Sequence, residues 1–175
     1  MSAPTIAELD ALDPSACAEA LAPLFEGAPR FLARLAGARP YREEARLFAL
    51  AREIARAMSE PEQLELIDAH PRLGAPPSSV SPLSFIEQGY DREAADAAAE
   101  AERLRLGALL ERLNADYEAR FGFRYCVWVA GRPRVALIPG FEAALRAERG
   151  EEIARALEAV VDIAADRYGK LRAAR

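Results

Sequence analysis

At 175 residues the chain is long enough for one compact domain with a real core and too short to expect two. Hydrophobic residues make up 51% and charged residues 29%, which excludes a disordered tail, and a net charge of −5 with a pI near 5.1 argues against a nucleic-acid protein. With no basic-then-apolar leader and no apolar run approaching the ~20 residues of a membrane span, a cytoplasmic protein is expected.

Lys170 is the single lysine among 23 basic side chains. The abundance of Ala and Arg suits helices, since both are strong helix formers. Cys17 and Cys126 lie far apart without C-x-x-C spacing. They can form one disulfide or remain two buried thiols, and the second is expected inside a cell.

In chain order, Asp13-Pro14 offers an N-cap with proline at the first helical position, and Leu21, Leu24 and Phe25 follow at helical spacing before Gly27. Phe31, Leu32 and Leu35 mark a second short helix closed by Gly37 and Pro40. Tyr41 to Met58 reads as the first long helix, with Leu47, Leu50, Ile54 and Met58 at steps of three and four. Ser59 and Glu62 form a capping box for the next helix, which His70-Pro71 ends, because a residue before proline is pushed out of the α region.

Gly74 to Pro82 is rich in proline and serine and is the least helical stretch. Ser84-x-x-Glu87 reads as a second capping box. Asp91 to Arg120 is helical, with Leu106, Leu109, Leu110, Leu113 and Tyr117 as its apolar stripe, and Gly122 is expected to end it in a left-handed C-cap. Phe123 to Ala130 is a short apolar run without a strand partner, read as a buried extended segment. Pro139 starts a short helix through Leu145, and Glu151 to about Leu171 makes the last long one. The expectation is an all-α fold: a single multi-helix domain over residues 1–175, with about eight helices and one short extended apolar segment.

Few residues can carry chemistry. His70 is the only histidine and the two cysteines are remote, so no multi-His or zinc site is expected. Neither GxGxxG, GxxxxGK[ST] nor GxSxG occurs. Any reaction here is expected to need no metal and no organic cofactor. At a helix C-terminus, His70 is expected to favour its imidazolium form, as suits a proton donor, although a histidine there can also simply cap its own helix. Glu87 has a structural reading in its capping box and a functional one as a charge near a ligand. Arg167, taken alone, reads as a solvated helix arginine.

Together these residues are more informative. Arg39-Pro40-Tyr41 looks like an R-P-F motif, Ala69-His70-Pro71-Arg72-Leu73 like A-H-P-x-[LI], and Ser84-x-x-Glu87-Gln88 matches S-x-x-E-Q. Leu113-Asn114-x-x-Tyr117-x-x-Arg120-Phe121-Gly122-Phe123 is close to L-N-x-x-Y-x-x-[KR]-F-G-F, and Ile163-Ala164-x-x-Arg167-Tyr168 to I-A-x-x-R-L. In this order and spacing the chain resembles the OHCU decarboxylase family, which acts on 2-oxo-4-hydroxy-4-carboxy-5-ureidoimidazoline (OHCU). It departs from the family at Arg72 and Gly74, where many members read H-P-D-L-A-G-K, and at Arg124-Tyr125, where the family often has P-F.

The resemblance implies an all-α homodimer that converts OHCU to (S)-allantoin and CO2, after urate oxidase and hydroxyisourate hydrolase have acted. The substrate ring can accept the electron pair as CO2 leaves, so no cofactor is implied. The implied catalytic residues are His70, which protonates the product stereospecifically, Glu87, which orients substrate and His70, and Arg167, which supplies positive charge. Implied substrate contacts are Pro71, Ser84, Phe85, Ile86, Gln88 and the segment Tyr125, Cys126, Val127, Trp128 and Val129. The alternative is a non-catalytic helical interaction module that keeps the fold.

Overall fold

The computed structural model describes residues 3–92 and 97–173. Among the described residues there are nine α-helices, several short 3-10 turns and no strand, so the all-α expectation holds. The helices are α1 (Ile6–Ala11), α2 (Pro14–Leu21), α3 (Pro29–Gly37), α4 (Glu44–Ala57), α5 (Glu60–Asp68), α6 (Pro82–Glu87), α7 (Ala97–Phe121), α8 (Ile138–Ala144) and α9 (Arg149–Ala173). Packing groups the chain into two compact units, residues 1–70 with 153–175, and residues 71–152.

In the first unit the starts of the helices follow local chemistry. Asp13 caps α2, its carboxylate accepting from the Ala16 amide at 3.0 Å, and Pro14 occupies the first turn. Glu62 reaches back to the Ser59 amide at 3.1 Å, as the expected capping box requires. The helix read as starting at Tyr41 instead starts at Glu44. Arg42 has a left-handed φ of 71°, which a helix cannot include, and Asp10 holds that turn by accepting the Tyr41 and Arg42 amides at 2.7 and 2.8 Å. Leu9, Leu21, Phe25, Phe31, Leu35, Leu47 and Val160 are among the side chains forming the buried core of this unit. Cys17 and Cys126 are both buried free thiols.

The second unit is built on α7. Leu110, Leu113 and Tyr117 of its expected stripe are buried, whereas Leu106 and Leu109 are only half-buried. Residues 93–96 of the expected helix lie outside the described residues. Gly122 ends α7 at φ 79°, the predicted left-handed cap. Around Tyr117 pack Phe121, Phe123, Tyr125 and Phe141, with ring centroids 4.6 to 5.9 Å away, and the Tyr117 hydroxyl donates to buried Glu152 at 2.8 Å. Such tilted and edge-on contacts suit aromatic quadrupoles. The apolar run after Gly122 belongs to no regular element yet is anchored through the buried side chains of Phe123, Tyr125, Cys126 and Val129.

The second capping box is not formed. Ser81, not Ser84, caps α6 by accepting the Ser84 amide at 3.2 Å, and Pro82 occupies the first turn. A proline fits the first helical position without losing a bond, so the helix starts three residues earlier and Glu87 becomes its last residue.

Side chains from elsewhere in the unit pin the backbone of the loop from Pro71 to Ala75. Gln88 donates to the Arg72 carbonyl at 3.2 Å and accepts from the Gly74 amide at 2.7 Å, and Asn114 donates to the Leu73 carbonyl at 2.9 Å. The Arg72 guanidinium makes a two-pronged ion pair with Glu118. Gly74 has φ 81°, and a Cβ there would lie 2.7 Å from Leu110 Cδ1. Gly74→Ala is therefore expected to cost about 2 kcal/mol, combining left-handed strain with overpacking. Urea unfolding measures this, and a loss below about 0.5 kcal/mol would mean that α7 yields at Leu110.

Candidate active site

His70 follows the Ala69 C-cap of α5 and is 3% exposed. Its Nδ1 lies 3.3 Å from the Leu66 carbonyl, which only accepts, so Nδ1 carries a hydrogen and the neutral ring keeps its lone pair on Nε2. His70 thus does cap its own helix, as the structural reading held. Its environment nevertheless reverses the expected charge. Burial first, and then the positive charge of Arg167, push the imidazole down to about 4, while Glu26 and the Leu66 carbonyl act the other way. The helix end does favour the imidazolium, by up to ~2 kcal/mol in good geometry, but desolvation beside a guanidinium outweighs it. At neutral pH His70 is a neutral base, not a resting acid.

Arg167, on α9, is not a solvated arginine: it is 2% exposed. Its guanidinium donates to Glu26 Oε1 at 2.8 Å and to the carbonyls of Pro23 and Leu24 at 3.2 and 3.3 Å. Sequence reasoning missed Glu26. The signal was slight: an acid just before Gly27, after the apolar Leu24 and Phe25. The first unit thus brings together His70, Arg167 and Glu26, an imidazole under two opposed charges.

The other expected site residues lie in the second unit. Ser84 is buried within α6, Phe85 packs against Tyr90 with ring centroids 5.5 Å apart, and Ile86 is 55% exposed. Glu87 is half-buried and is the last residue of α6 rather than part of its first turn. Gln88 and Pro71 come together in the pinned loop, where Gln88 spends its amide on backbone. Tyr125 stacks on Phe141 and is buried, as are Cys126 and Val129; Val127 is half-buried and Trp128 is 39% exposed. Arg132 occupies the Trp128 and Val129 carbonyls at 2.6 and 3.0 Å.

Among the described residues no set of three or more His, Cys, Asp and Glu side chains is gathered as for a metal ion, and no helix is long and apolar enough to cross a membrane.

The depressed pKa of His70 has a stability consequence. The unfolded imidazole binds its proton near 6.5 and the folded one near 4, so the stabilisation is complete above 6.5 and is lost as pH falls through this window. The full effect is about 3 kcal/mol. The difference in unfolding free energy between wild type and His70→Gln is expected to shrink accordingly from pH 7 to pH 4 in urea titrations. A difference constant across that range would mean that native His70 keeps the proton affinity of the unfolded chain.

Comparison with known proteins places the chain in a family. A family model described as OHCU decarboxylase matches residues 10–169. The 2-oxo-4-hydroxy-4-carboxy-5-ureidoimidazoline decarboxylase of Haloferax volcanii is 26% identical over 162 residues, covering 91% of each chain. The uric acid degradation bifunctional protein PucL of Bacillus subtilis is 27% identical over 167 residues, and the chain spans 31% of its length. Two crystal structures, each 21% identical, share the fold. One is OHCU decarboxylase in the presence of (S)-allantoin, with a TM-score of 0.64 over 84% of this chain and 93% of that one. The other is (S)-allantoin synthase, with a TM-score of 0.67 over 95% and 53%. Since the family model spans nearly the whole sequence, the chain belongs to the OHCU decarboxylase family.

Proposed function

We propose that the protein decarboxylates OHCU to (S)-allantoin and CO2 in urate breakdown, as a cytoplasmic homodimer with His70, Glu87 and Arg167 as its catalytic residues. The observation that carries this reading is the buried neutral His70 under the charge of Arg167, in a chain whose family match spans residues 10–169.

The substrate carries a hydroxyl and a carboxylate on C4. As CO2 leaves, its electron pair enters the ring, and a ring nitrogen takes a proton from solvent. The 4-hydroxyl proton is given up while the carboxylate is still in place, and C5 must gain a proton as the 4-carbonyl forms. Neutral His70 can accept the first proton on Nε2 and, as imidazolium, deliver it to one face of C5. The order is base and then acid, which corrects the expectation of a resting acid. Arg167 supplies positive charge for an anionic substrate, and Glu87 accepts hydrogen bonds from its hydroxyl or ureido group. Pro71, Ser84, Phe85, Ile86 and the backbone of Tyr125 to Val129 position the ring. Gln88 contributes by shaping the loop after His70.

The test is circular dichroism of urate treated with urate oxidase and hydroxyisourate hydrolase, with and without the protein. A dichroic allantoin signal rising faster than the spontaneous reaction is the expected result. An unchanged rate would favour the non-catalytic helical module. His70→Asn is expected to abolish the enantioselective signal while the helical spectrum persists, and near-normal kinetics in that variant would remove His70 from the mechanism. Glu87→Gln keeps the size and hydrogen-bonding shape of the side chain, so it is expected to leave the melting temperature nearly unchanged. It should lower the rate at least ~10-fold, since a charge-assisted hydrogen bond is worth roughly 1.5–3 kcal/mol. Rate and stability falling together, with activity per folded molecule intact, would make Glu87 structural.

A further inference from the structure

Glu26 stands where backbone preference does not put a glutamate. Its φ is 53°, in the left-handed region, and Gly27 follows at 82°. There a Cβ crowds the following carbonyl, and Gly, Asn or Asp are the residues that tolerate it best. A long side chain kept in that conformation is held by something outside its own backbone.

What holds it is the Arg167 guanidinium. The pair is 2.8 Å apart, with side chains 1% and 13% exposed for Arg167 and Glu26. The carbonyls of Pro23 and Leu24 accept from the same guanidinium, so three acceptors of one turn converge on one buried cation. Left-handed backbone at Glu26 is thus part of how the turn wraps Arg167. The charged groups acting on His70 are Arg167 from α9 and Glu26 from this turn, while its own helix contributes the Leu66 carbonyl.

We propose that Glu26 is a positioning residue for the reaction: its carboxylate seats the Arg167 guanidinium and counterbalances that charge at His70. The inference rests on the decarboxylase reading for its kinetic part alone. Without the carboxylate, Arg167 would press unopposed on the imidazole, and His70 would become too weak a base to take the substrate's proton. A fold staple would be an ion pair whose loss costs stability and leaves His70 untouched.

The single histidine makes the test direct, because the one imidazole signal in the proton NMR spectrum is His70. Glu26→Gln keeps the size and the acceptor oxygen but removes the charge. Folded Glu26→Gln is expected to protonate His70 at a pH at least ~0.5 below that of wild type, the sign set by removing a nearby negative charge. Its kcat/KM for OHCU should fall at least ~10-fold, with the acid limb of the pH–rate profile moving the same way. Glu26→Asp keeps the charge and tolerates left-handed backbone, so it should recover at least about half of both changes.

A Glu26→Gln protein that failed to fold would betray itself by an imidazole titrating at its ordinary value. The test then passes to Glu26→Gln with Arg167→Gln, which removes both charges. There His70 should protonate at higher pH than in wild type, because Arg167 has the larger effect of the two. The proposal is overturned by a folded Glu26→Gln protein with wild-type His70 titration and pH profile, or by a double variant whose His70 titrates as in wild type. A wild-type protein without turnover would sink the decarboxylase reading instead, and the titrations would still decide what Glu26 does.

Discussion

Arg167 cannot shed its charge, and at 2% exposure it has lost its water. The fold must therefore supply acceptors for its fixed fork of N–H groups and a countercharge within reach. An isolated ion of this kind costs several kcal/mol to bury, so the segment that meets it is tightly constrained. The turn after α2 does this with two backbone carbonyls and the Glu26 carboxylate. That requirement explains the left-handed Glu26, the Gly27 that follows it, and the electrostatic setting of His70. One desolvated cation organises the chemical end of the first unit.

In the second unit the corresponding constraint is on backbone rather than charge. The five residues after His70 form no helix, so their amides and carbonyls need partners from elsewhere. Gln88, Asn114 and Tyr90 provide them, Tyr90 donating to the Ala75 carbonyl at 2.5 Å. Arg72 adds its ion pair with Glu118. This is why the departures at Arg72 and Gly74 are tolerated. The arginine finds its acid on α7, and the glycine admits Leu110 where a side chain would collide. Gln88 holds the loop with both ends of its amide.

What could be read in the sequence was local. The caps at Asp13 and Ser59, the left-handed Gly122 and the break at His70-Pro71 each depend on residues within one helical turn, and each is formed. Ser84-x-x-Glu87 failed for a reason that is also local: Ser81-Pro82 is the stronger start, and a pattern match cannot rank two starts three residues apart. Tyr41 failed as a helix start because its turn is set by Asp10, some thirty residues earlier. Glu26 was beyond reach, since its partner lies 141 residues away and no propensity announces a left-handed glutamate. The charge state of His70 was misread for a similar reason. Its position at a helix end is visible in sequence, whereas its burial and the neighbouring guanidinium are tertiary facts. His70 and Arg167 were identified through the family motifs, and their environments had to come from the structure.

The low proton affinity of His70 suits a base that must become an acid within one turnover. Suppressing the imidazolium by about 3 kcal/mol makes a poor base of the empty site but a strong acid of any imidazolium formed in it. On the decarboxylase reading the substrate resolves this conflict itself. Its carboxylate brings a negative charge into a site of low dielectric, which raises the proton affinity of the imidazole while the 4-hydroxyl proton is being taken. When CO2 departs it is neutral, and the charge it leaves is delocalised over the ring and quenched by solvent. The imidazolium has then lost its stabilising neighbour beside a guanidinium that never changes charge, so delivery of the proton to C5 becomes the favourable direction. A neutral resting histidine, a permanent cation and a substrate that discards its own anion are enough to order the two proton transfers without a cofactor.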